Sequence, residues 1–529
     1  MSGHSDVDTV YLGAPVVRKP LVLLTVCLAA LTINLSTMIV NIALPTLAED
    51  LDAGTRSLLW IVDGYNLAFA ALVLAMGSLS DRFGRRPALI VGLAGFALSN
   101  AAAALVDSSG ALIALRVAMG VFAALIFPTT LSIIANTFTG RRERASALGL
   151  WGASVGVGVA LGPVGGGVLL SHFSWHSVFW AVVPVALVTI AMAVVFVPES
   201  RDTTVPRIDR PGFAISVAAL GILTWTIIEA PAHGWGSPET IVGFVVAALL
   251  VAAFVRVERA VEHPMIDVTL FLDRRFSAAC AAVTIAFFAL FGFVFLITQF
   301  FQFVRDYSAL ETGVRFLPVA LSIATASIVG GMLAPRLGTR AVVTPGLVMM
   351  GASFLWISTI GADVPFATVV VPQMILLGGG IGLVSTPATE SIMQVLPPAR
   401  AGVGSAVNDA TRELGGTLGV AVVGSLFSFQ YGERVVSLLG GAVDAPTADR
   451  AADSVGFAHA LAQRVPGLES AVDTAFLDGF GQACLIVGVL CLVGAVVAAL
   501  SLPADRYDPL APVEPELAAA GPDGDRPIR

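Results

Sequence analysis

The chain has 529 residues, of which 56% are hydrophobic and 12% are charged, and its mean hydropathy is +0.88. Soluble domains carry about 25% charged residues, so this composition excludes an ordinary soluble protein and indicates a membrane protein. The formal net charge of −8 lies largely in loops and the C-terminal tail, which gives no reason to expect a nucleic-acid partner.

Long apolar runs follow one another along the chain. The apolar core of a bilayer is about 30 Å thick and a helix rises about 1.5 Å per residue, so one crossing needs about 20 apolar residues. Backbone polar groups must be satisfied internally in lipid, which predicts that these runs are α-helices. The fourteen predicted crossings are 20–44, 57–79, 87–106, 111–135, 145–170, 177–197, 211–230, 239–255, 276–303, 313–334, 341–361, 366–390, 402–428 and 477–502.

A ten-residue segment of the sequence occurs twice, and we interpret both copies as loops between crossings. The sequence Gly-Ser-Leu-Ser-Asp-Arg-Phe-Gly-Arg-Arg at 77–86 shares five positions, in register, with the segment at 331–340. Duplicated halves that rock against each other are a common plan among transporters. The copies follow the second and tenth crossings, which predicts two six-helix bundles with two extra helices, 211–230 and 239–255, between them.

The fold is therefore predicted as an all-α integral membrane protein of 14 helices, arranged as 6+2+6 with halves related by a pseudo-two-fold axis. An even number of crossings places both termini on one side. Most of the 29 Lys and Arg residues then lie on that same side, so the positive-inside rule predicts that both termini are cytoplasmic.

The predicted domains follow from this count. They are a cytoplasmic segment 1–19, a bundle 20–197, a linker 198–275 with the two extra helices, a bundle 276–502 and a disordered cytoplasmic tail 503–529. The longest hydrophilic loop, 430–473, is expected to be extracellular and to contain short surface helices.

Ionisable residues inside crossings are the best indicators of a site, because each costs about 2.5–3.5 kcal/mol at the centre of a span and usually faces a cavity or a partner. The candidates are Asp63, Arg116, Asp409, Arg412 and Glu413. Asp63 is interpreted as a proton carrier or a binding group for a cation. The alternative is a carboxylate at the helix end that is wetted at the outer surface.

Asp409 and Glu413 are four residues apart and share one face of the thirteenth helix, which favours a coupled acid pair in a central cavity. The alternative is a static salt bridge between Asp409 and Arg412. Further residues could line the cavity, with Glu390 interpreted either in that role or as a residue of the cytoplasmic end. These are Asn34, Asn41, Tyr65, Gln299, Gln302 and Glu390.

The segment 77–86 resembles the signature of the major facilitator superfamily, and fourteen crossings narrow the resemblance to the drug:proton antiporters of the EmrB/QacA type. The sequence Gly-Pro-Val-Gly-Gly at 162–166 is similar to the antiporter signature of that family. The resemblance implies that the first segment is a gating loop whose arginines pair with acids of the facing half. Its residues are Gly77, Asp81, Arg82, Gly84, Arg85 and Arg86. The alternative is that the arginines are ordinary membrane anchors.

The fifth helix carries Gly158, Gly162 and Gly166 at a spacing of four, together with Pro163. These glycines form a smooth face that another backbone can approach, which suits halves that slide against each other. Arg116 matches the arginine of the family's fourth helix, which is implicated in proton transfer. The chain has Ser36 where the family usually has an acid, which shifts the expected coupling to Asp63 and the acids of the thirteenth helix.

The resemblance implies a proton-coupled exporter of amphipathic cationic or neutral drugs in the inner membrane of a bacterial cell. The alternatives are a dedicated exporter of one lipid, siderophore or secondary metabolite and, from another class, a membrane enzyme or a scaffold. We expect no enzymatic activity, no cofactor beyond the proton gradient, and no metal, because no catalytic or metal-binding constellation is visible. The expected partners are drug-like molecules, protons and the lipid bilayer, and the expected state is a monomer.

Overall fold

The computed structural model describes residues 18–138, 141–201, 209–261, 264, 267–395, 401–439, 442–465 and 467–503. Within these ranges the regular elements are helices, and up to fourteen of them can cross a membrane when one bent pair is taken as a single span. The helices α1–α7 are Lys19–Asp50, Thr55–Phe83, Arg85–Ala103, Ser109–Thr137, Arg141–His172, His176–Phe196 and Arg210–His233. The helices α8–α14 are Pro238–Ala260, Arg274–Val304, Ala309–Leu337, Thr339–Ile357, Phe366–Met393, Ala401–Leu439 and Glu469–Ser501.

The predicted all-α class is confirmed and the helices are compatible with fourteen crossings, but several helices are longer than their apolar runs. The helix α13 has 39 residues, which corresponds to about 58 Å and exceeds the roughly 30 Å core of a bilayer. Polar residues continue a helix past the lipid because the hydrogen-bonding pattern does not depend on hydropathy. The predicted N-terminal segment up to 17 and the predicted tail from 504 lie outside the described residues.

The two repeated segments are not ten-residue loops, and this part of the prediction was wrong. Helix α2 continues to Phe83 and α3 begins at Arg85, so Gly84 alone separates them, with φ +116°. Gly338 separates α10 from α11 in the same way, with φ +91°. Glycine reaches this left-handed region without a steric penalty, so one residue can reverse the chain and the flanking polar residues remain helical. We call the end of the bundle that carries these two turns the signature end, and the opposite end the distal end.

The packing repeats between the first six and the last six helices. Helix α2 packs on α4, α1 on α5 and α3 on α6, and the matching pairs are α10 on α12, α9 on α13 and α11 on α14. Each helix of the second set stands eight places after its counterpart, so α7 and α8 are an insertion between two equivalent bundles. The architecture is six plus two plus six, and α2 bends by 57° between Val73 and Ala75.

The halves meet along two seams. In the α5–α10 seam, a Cβ on Gly167 would lie 2.6 Å from the Ala309 carbonyl oxygen, and a Cβ on Gly313 would overlap the Pro163 carbonyl oxygen. In the α2–α13 seam, Gly424 leaves room for the Leu59 side chain. Because the α5–α10 contacts join backbone to backbone, no larger residue fits at these glycines without a shift of a helix.

The inserted helix α7 lies against the α2–α13 seam and is attached to both halves near the distal end. The Ser425 hydroxyl of α13 donates a hydrogen bond to the Ile227 carbonyl oxygen at 2.7 Å. Arg56 of α2 forms an ion pair with the buried carboxylate of Glu229 at 2.9 Å. One inserted helix therefore spans the boundary between the bundles.

The chain between α13 and α14 contains two short helices, Ala445–Asp453 and Val455–Arg464. Arg450 of the first forms an ion pair with Asp52, in the turn between α1 and α2, at 3.2 Å. His459 of the second lies 3.3 Å from Asp306, after α9. This segment of the C-terminal half therefore reaches over to the N-terminal half at the distal end.

Candidate functional site

The acids of α13 lie where the two bundles face each other, and neither forms an ion pair with a described residue. Asp409 is 4% exposed and its Oδ2 atom has no hydrogen-bond partner. The guanidinium of Arg412 lies over the ring of Phe287 of α9, 4.4 Å from its centroid. The alternative of a static salt bridge between Asp409 and Arg412 is therefore not realised in this structure, although Arg412 remains within electrostatic range of both Asp409 and Glu413.

Arg116 of α4 is completely buried and is held by α2. Its Nε atom donates a hydrogen bond to the Ile61 carbonyl oxygen at 2.9 Å, and its guanidinium lies 4.4 Å from the centroid of the Tyr65 ring. The Nη1 atom lies 3.8 Å from Met119 Sδ, and Nη2 has no partner. The sulfur accepts only weakly, so the cation keeps unused hydrogen-bonding capacity in a closed interior.

Tyr65 connects this arginine to the opposite half. Its ring is fully buried, and its hydroxyl faces Thr37 of α1 and lies within electrostatic range of Arg116 and Glu413. Four helices, α1, α2, α4 and α13, thus contribute to one buried polar cluster that crosses the boundary between the bundles. We call Thr37, Tyr65, Arg116 and Glu413 the central cluster.

Asp63 lies apart from the central cluster. Successive residues of a helix are about 100° apart, so Asp63 points away from Ile61 and Tyr65, on the face of α2 that carries Leu59 and faces α13. It is 0% exposed, both carboxyl oxygens lack a hydrogen-bond partner, and its polar neighbour is Asn66. Asp63 is therefore not wetted at the outer surface in this structure.

The other predicted cavity residues occupy different places. Asn34 and Asn41 each donate to a carbonyl oxygen one turn back in α1, and Gln299 does the same within α9. Gln302 donates across the halves to the Ile42 carbonyl oxygen at 3.0 Å and lines a distal cavity of about 240 Å³. Glu390 is half-buried near Arg275, at the signature end of α9, so it lies outside the central cluster.

The residues of the gating motif pair within the N-terminal half. Arg85 binds Asp81 at 2.7 Å, and Arg86 donates to the Val194 carbonyl oxygen of α6 at 2.5 Å. The backbone N–H of Arg85 also donates to the Ser200 carbonyl oxygen at 2.9 Å. Arg82 is exposed beside the ring of Phe83. The expected pairs between these arginines and acids of the facing half are not present among the described residues in this conformation.

The glycine face of α5 has a partner different from the expected one. Gly158 lies against Asn34, Gly162 against Met38 and Gly166 against Ile39, so the face accommodates α1 of the same bundle. The contact with the facing half is made instead by Gly167 and by the carbonyl oxygen of Pro163, against α10. Spacing by four predicted a close approach correctly, but the sequence carries no signal for which helix approaches.

Several residues of the site were missed at the level of sequence. Asn66 on α2 and Thr417 on α13 are buried with unpartnered polar side-chain atoms, and the α5–α10 seam depends on Gly167 and Gly313. Gly167 could have been found as a member of the Gly-rich stretch 162–167, but Gly313 and the neutral Asn and Thr carry no distinctive signal in the sequence. Among the described residues, no group of three or more His, Cys, Asp or Glu side chains could hold a metal ion.

The fold and the buried polar cluster define a two-bundle membrane transporter, and comparison with known proteins gives the family. Residues 26–420 match the model of the Major Facilitator Superfamily, and the chain belongs to that superfamily. It is 34% identical over 489 residues to the multidrug efflux pump LfrA of Mycolicibacterium smegmatis, covering 92% of this chain and 96% of LfrA.

Two further relatives have similar coverage. The tetracenomycin C resistance and export protein of Streptomyces glaucescens is 32% identical, covering 93% of each chain. The methyl viologen resistance protein SmvA of Salmonella typhimurium is 34% identical, covering 85% of this chain and 90% of SmvA.

Solved structures share the fold at low identity. A bacterial homologue of the human lysosomal transporter Spinster, in an inward-facing and unoccupied conformation, superposes with a TM-score of 0.65 at 17% identity, covering 94% of this chain and 100% of that one. The human organic anion transporter MFSD10 gives a TM-score of 0.58, also at 17% identity, covering 92% and 100%. The chain is therefore a multi-pass membrane protein of a transporter superfamily.

Proposed function

We propose that the protein is a proton-coupled exporter that removes amphipathic drugs from the cell by alternating access. The relatives named for multidrug efflux and for antibiotic resistance, at 32–34% identity over most of both chains, support this class of substrate. The cargo is a cationic or neutral amphipathic molecule. The energy source is the proton gradient, with no further cofactor and no enzymatic step, and the unit of function is the monomer.

The observation that carries the proposal is the state of the acids on α13. Asp409 is buried and Glu413 is partly buried between the two bundles, and Arg412 stacks on Phe287 instead of forming an ion pair with either carboxylate. A buried carboxylate without an ion-pair partner is costly in its charged form, so these groups favour binding a proton or a cationic substrate. Proton and substrate therefore compete for the same acids.

The central cluster provides a link between this competition and the movement of the halves. When Glu413 loses its proton, its negative charge attracts the guanidinium of Arg116, which has an unpartnered Nη2 atom and is held on α2 through Ile61 and Tyr65. A proton or a bound cation cancels that attraction. Because the two residues belong to different bundles, the protonation state changes the energy of closing the halves over the cluster.

The orientation follows from the distribution of charge. We propose that the signature end faces the cytoplasm and the distal end faces the exterior of a bacterial inner membrane, with both termini cytoplasmic. The basic residues near the turns support this placement, since Arg82, Arg85 and Arg86 flank Gly84, and Arg336 and Arg340 flank Gly338.

The experiment is uptake of ethidium into proteoliposomes with an imposed pH gradient, using the purified full chain. We expect gradient-driven uptake that collapses on addition of a protonophore. The variants Glu413→Gln and Asp409→Asn are expected to reduce gradient-driven uptake to background, while ethidium still binds in detergent but more weakly. The matched controls are Glu239→Gln and Asp449→Asn, because both of these acids are exposed and remote from the cluster.

Uptake by the native chain that persists without any gradient would contradict proton coupling. Full gradient-driven uptake by the double variant of Glu413 and Asp409 would instead show that the coupling acid lies elsewhere. The dedicated-exporter alternative is separated by substrate breadth: transport of one antibiotic but not of ethidium or other unrelated cations would favour it.

A further inference from the structure

A cavity of about 210 Å³ lies beside the α2–α13 seam, under the inserted helix α7. Its walls come from α2, α7, α8 and α13 and from the turn before α9. They include Ala70, Ala71, Ser216, Ala219, Leu220 and Leu414. These residues lie in the half of the bundle nearest the signature end, whereas Glu229 and Ile227 attach α7 to the two bundles near the distal end.

The acids of α13 are not among the residues that line the cavity. On α13, the cavity residues Val407, Ala410 and Leu414 are spaced as one helical face, with Asp409 on the opposite side of the helix and Glu413 about 90° around it. Among the cavity residues of the two seam helices, Ala70 on α2 and Ala410 on α13 are small, beside the larger Val407 and Leu414. Small side chains leave a gap between the two helices that a modest movement of the halves can widen.

Unpartnered polar groups lie along the same seam, beyond the apolar cavity. Asp63, Asn66 and Ala70 share one face of α2, and Asp63 stands two turns, about 10 Å, from Ala70. Both carboxyl oxygens of Asp63 and both amide atoms of Asn66 lack hydrogen-bond partners, and both residues are at least nine-tenths buried. The contact of Leu59 with Gly424 sets an antiparallel register that places Thr417, whose hydroxyl is also unpartnered, at the level of Asn66.

We propose that this cavity is an entry subsite for amphipathic cations dissolved in the membrane leaflet at the signature end. The apolar body of the cation occupies the cavity under α7, and its charged group points along the seam toward Asn66 and Asp63. Complete drug sites measure about 300–1,000 Å³, so a smaller cavity fits the apolar part of a ligand and leaves the charged part to the seam. A lipid acyl chain would fill the cavity but would give Asp63 no counter-charge.

The proposal rests on the proposed function and adds a route of entry to it. The cation first partitions into the membrane and then enters sideways between α7 and the seam. It then passes along α13 at Ala410 and reaches Glu413 and Asp409. The effect of the substrate's alkyl chain length on KM is therefore assigned to α7, an inserted helix that belongs to neither bundle.

The experiment compares hexyl-, decyl- and tetradecyltrimethylammonium as substrates in proteoliposomes. Each methylene group buried in the cavity is expected to lower KM about threefold to fourfold. The variant Ser216→Trp fills the cavity and is expected to raise KM for the decyl compound at least about tenfold while leaving the hexyl compound almost unchanged. The matched control is Ala214→Trp, at an exposed position on the same helix. It adds the same side chain outside the cavity, so it is expected to leave the KM values of all three compounds unchanged.

The outcomes separate the two proposals. Gradient-driven uptake of the hexyl compound with no effect of Ser216→Trp on any chain length overturns the entry subsite and leaves the exporter intact. If the native chain shows no gradient-driven uptake of any of the three compounds, the proposed exporter function itself is overturned. If Ser216→Trp does not fold, Ala219→Phe, one turn further along the cavity wall, replaces it in the same comparison.

A second measurement uses the native chain. A decyltrimethylammonium carrying a diazirine at the end of its alkyl tail is expected to label α7 at Ser216, Ala219 or Leu220, and excess unlabelled compound is expected to prevent the labelling. Labelling that is confined to residues outside this cavity would contradict the proposal. Labelling of the same residues by a diazirine phospholipid, undisturbed by the alkyl cation, would show that the cavity holds lipid and would also overturn it.

Discussion

The two seams between the bundles differ in what they are made of. The α5–α10 seam consists of glycines packed against backbone, with Gly167 on Ala309 and Gly313 on Pro163. The α2–α13 seam contains buried polar groups without partners, Asp63 and Thr417 among them, and has a cavity at its side. The halves thus touch closely along one line and leave unused polar groups and space along the other.

This difference indicates a division of labour. A contact of backbone on backbone tolerates little change in distance but permits rotation, which is the property of a hinge. Unpartnered polar groups are costly in a closed interior unless another molecule completes their hydrogen bonds. The α5–α10 seam therefore suits the pivot on which the halves rock, and the α2–α13 seam suits the passage for the substrate.

The largest expected effect on stability and transport comes from a larger side chain at a glycine of the α5–α10 seam. Gly313→Leu places a side chain where the Pro163 carbonyl oxygen lies, and overpacking of this kind typically costs about 1–3 kcal/mol. We expect a lower melting temperature and loss of ethidium uptake. The matched control is Gly165→Leu on α5, because a Cβ at Gly165 meets no atom within 4 Å.

An equal loss of melting temperature in Gly313→Leu and Gly165→Leu would remove the basis for calling the α5–α10 seam a hinge. The melting temperatures are compared in detergent by intrinsic fluorescence.

The next effect concerns the arginine of the central cluster. Arg116→Lys keeps the charge but loses the planar group that bonds to Ile61 and stacks on Tyr65. A hydrogen bond involving a charged group contributes about 1.5–3 kcal/mol, so a measurable fall in stability is expected together with a lower rate of gradient-driven uptake. Arg464→Lys, at an exposed position, serves as the control. Native stability and uptake in Arg116→Lys would show that charge alone is sufficient.

A substitution in the α2–α13 seam is expected to affect stability less than the two changes above, but to affect transport specifically. Thr417→Val removes an unpartnered buried hydroxyl and nearly preserves the shape of the side chain, so the free energy of unfolding should stay the same or rise slightly. Uptake of ethidium should nevertheless slow, because the passage loses a polar group. Thr474→Val, at an exposed position on α14, is the control. A fall in stability with unchanged uptake would contradict the assignment of this seam as the passage.

The smallest effect is expected at the attachment of α7. Arg56 is mostly exposed, and ion pairs with an exposed partner contribute about 0.2–1 kcal/mol, so Arg56→Ala should change the melting temperature little. Its consequence is instead expected in the substrate profile, as a weaker dependence of KM on alkyl chain length. An unchanged profile would show that the position of α7 does not depend on this ion pair.

Much of the fold could be predicted from the sequence because the signals were local. Hydropathy is a property of each run, so the crossings and the six-plus-two-plus-six arrangement followed from counting. The buried acids were found for the same reason, since a charge within an apolar run is visible without any tertiary information. The segment 77–86 was interpreted wrongly as a loop because polar residues also continue a helix beyond the lipid, and only Gly84 makes the turn.

The features that the sequence did not predict depend on which helices pack against each other. The sequence shows that Gly162 permits a close approach but not that α1 is the partner, and it shows Arg412 beside Asp409 but not that Phe287 takes the guanidinium. Asn66 and Thr417 carry no charge, so their missing hydrogen bonds appear only once both helices are in place. The sequence of α7 likewise contains no signal that places this helix across the α2–α13 seam.

The exchange of protons for substrate at the acids of α13 is tested most directly by measuring proton release when ethidium binds to the purified chain in unbuffered detergent solution. The native chain is expected to release protons on binding, and the double variant Asp409→Asn with Glu413→Gln is expected to bind ethidium without any release. Binding by the native chain with no change in pH, or an undiminished release from the double variant, would contradict the mechanism.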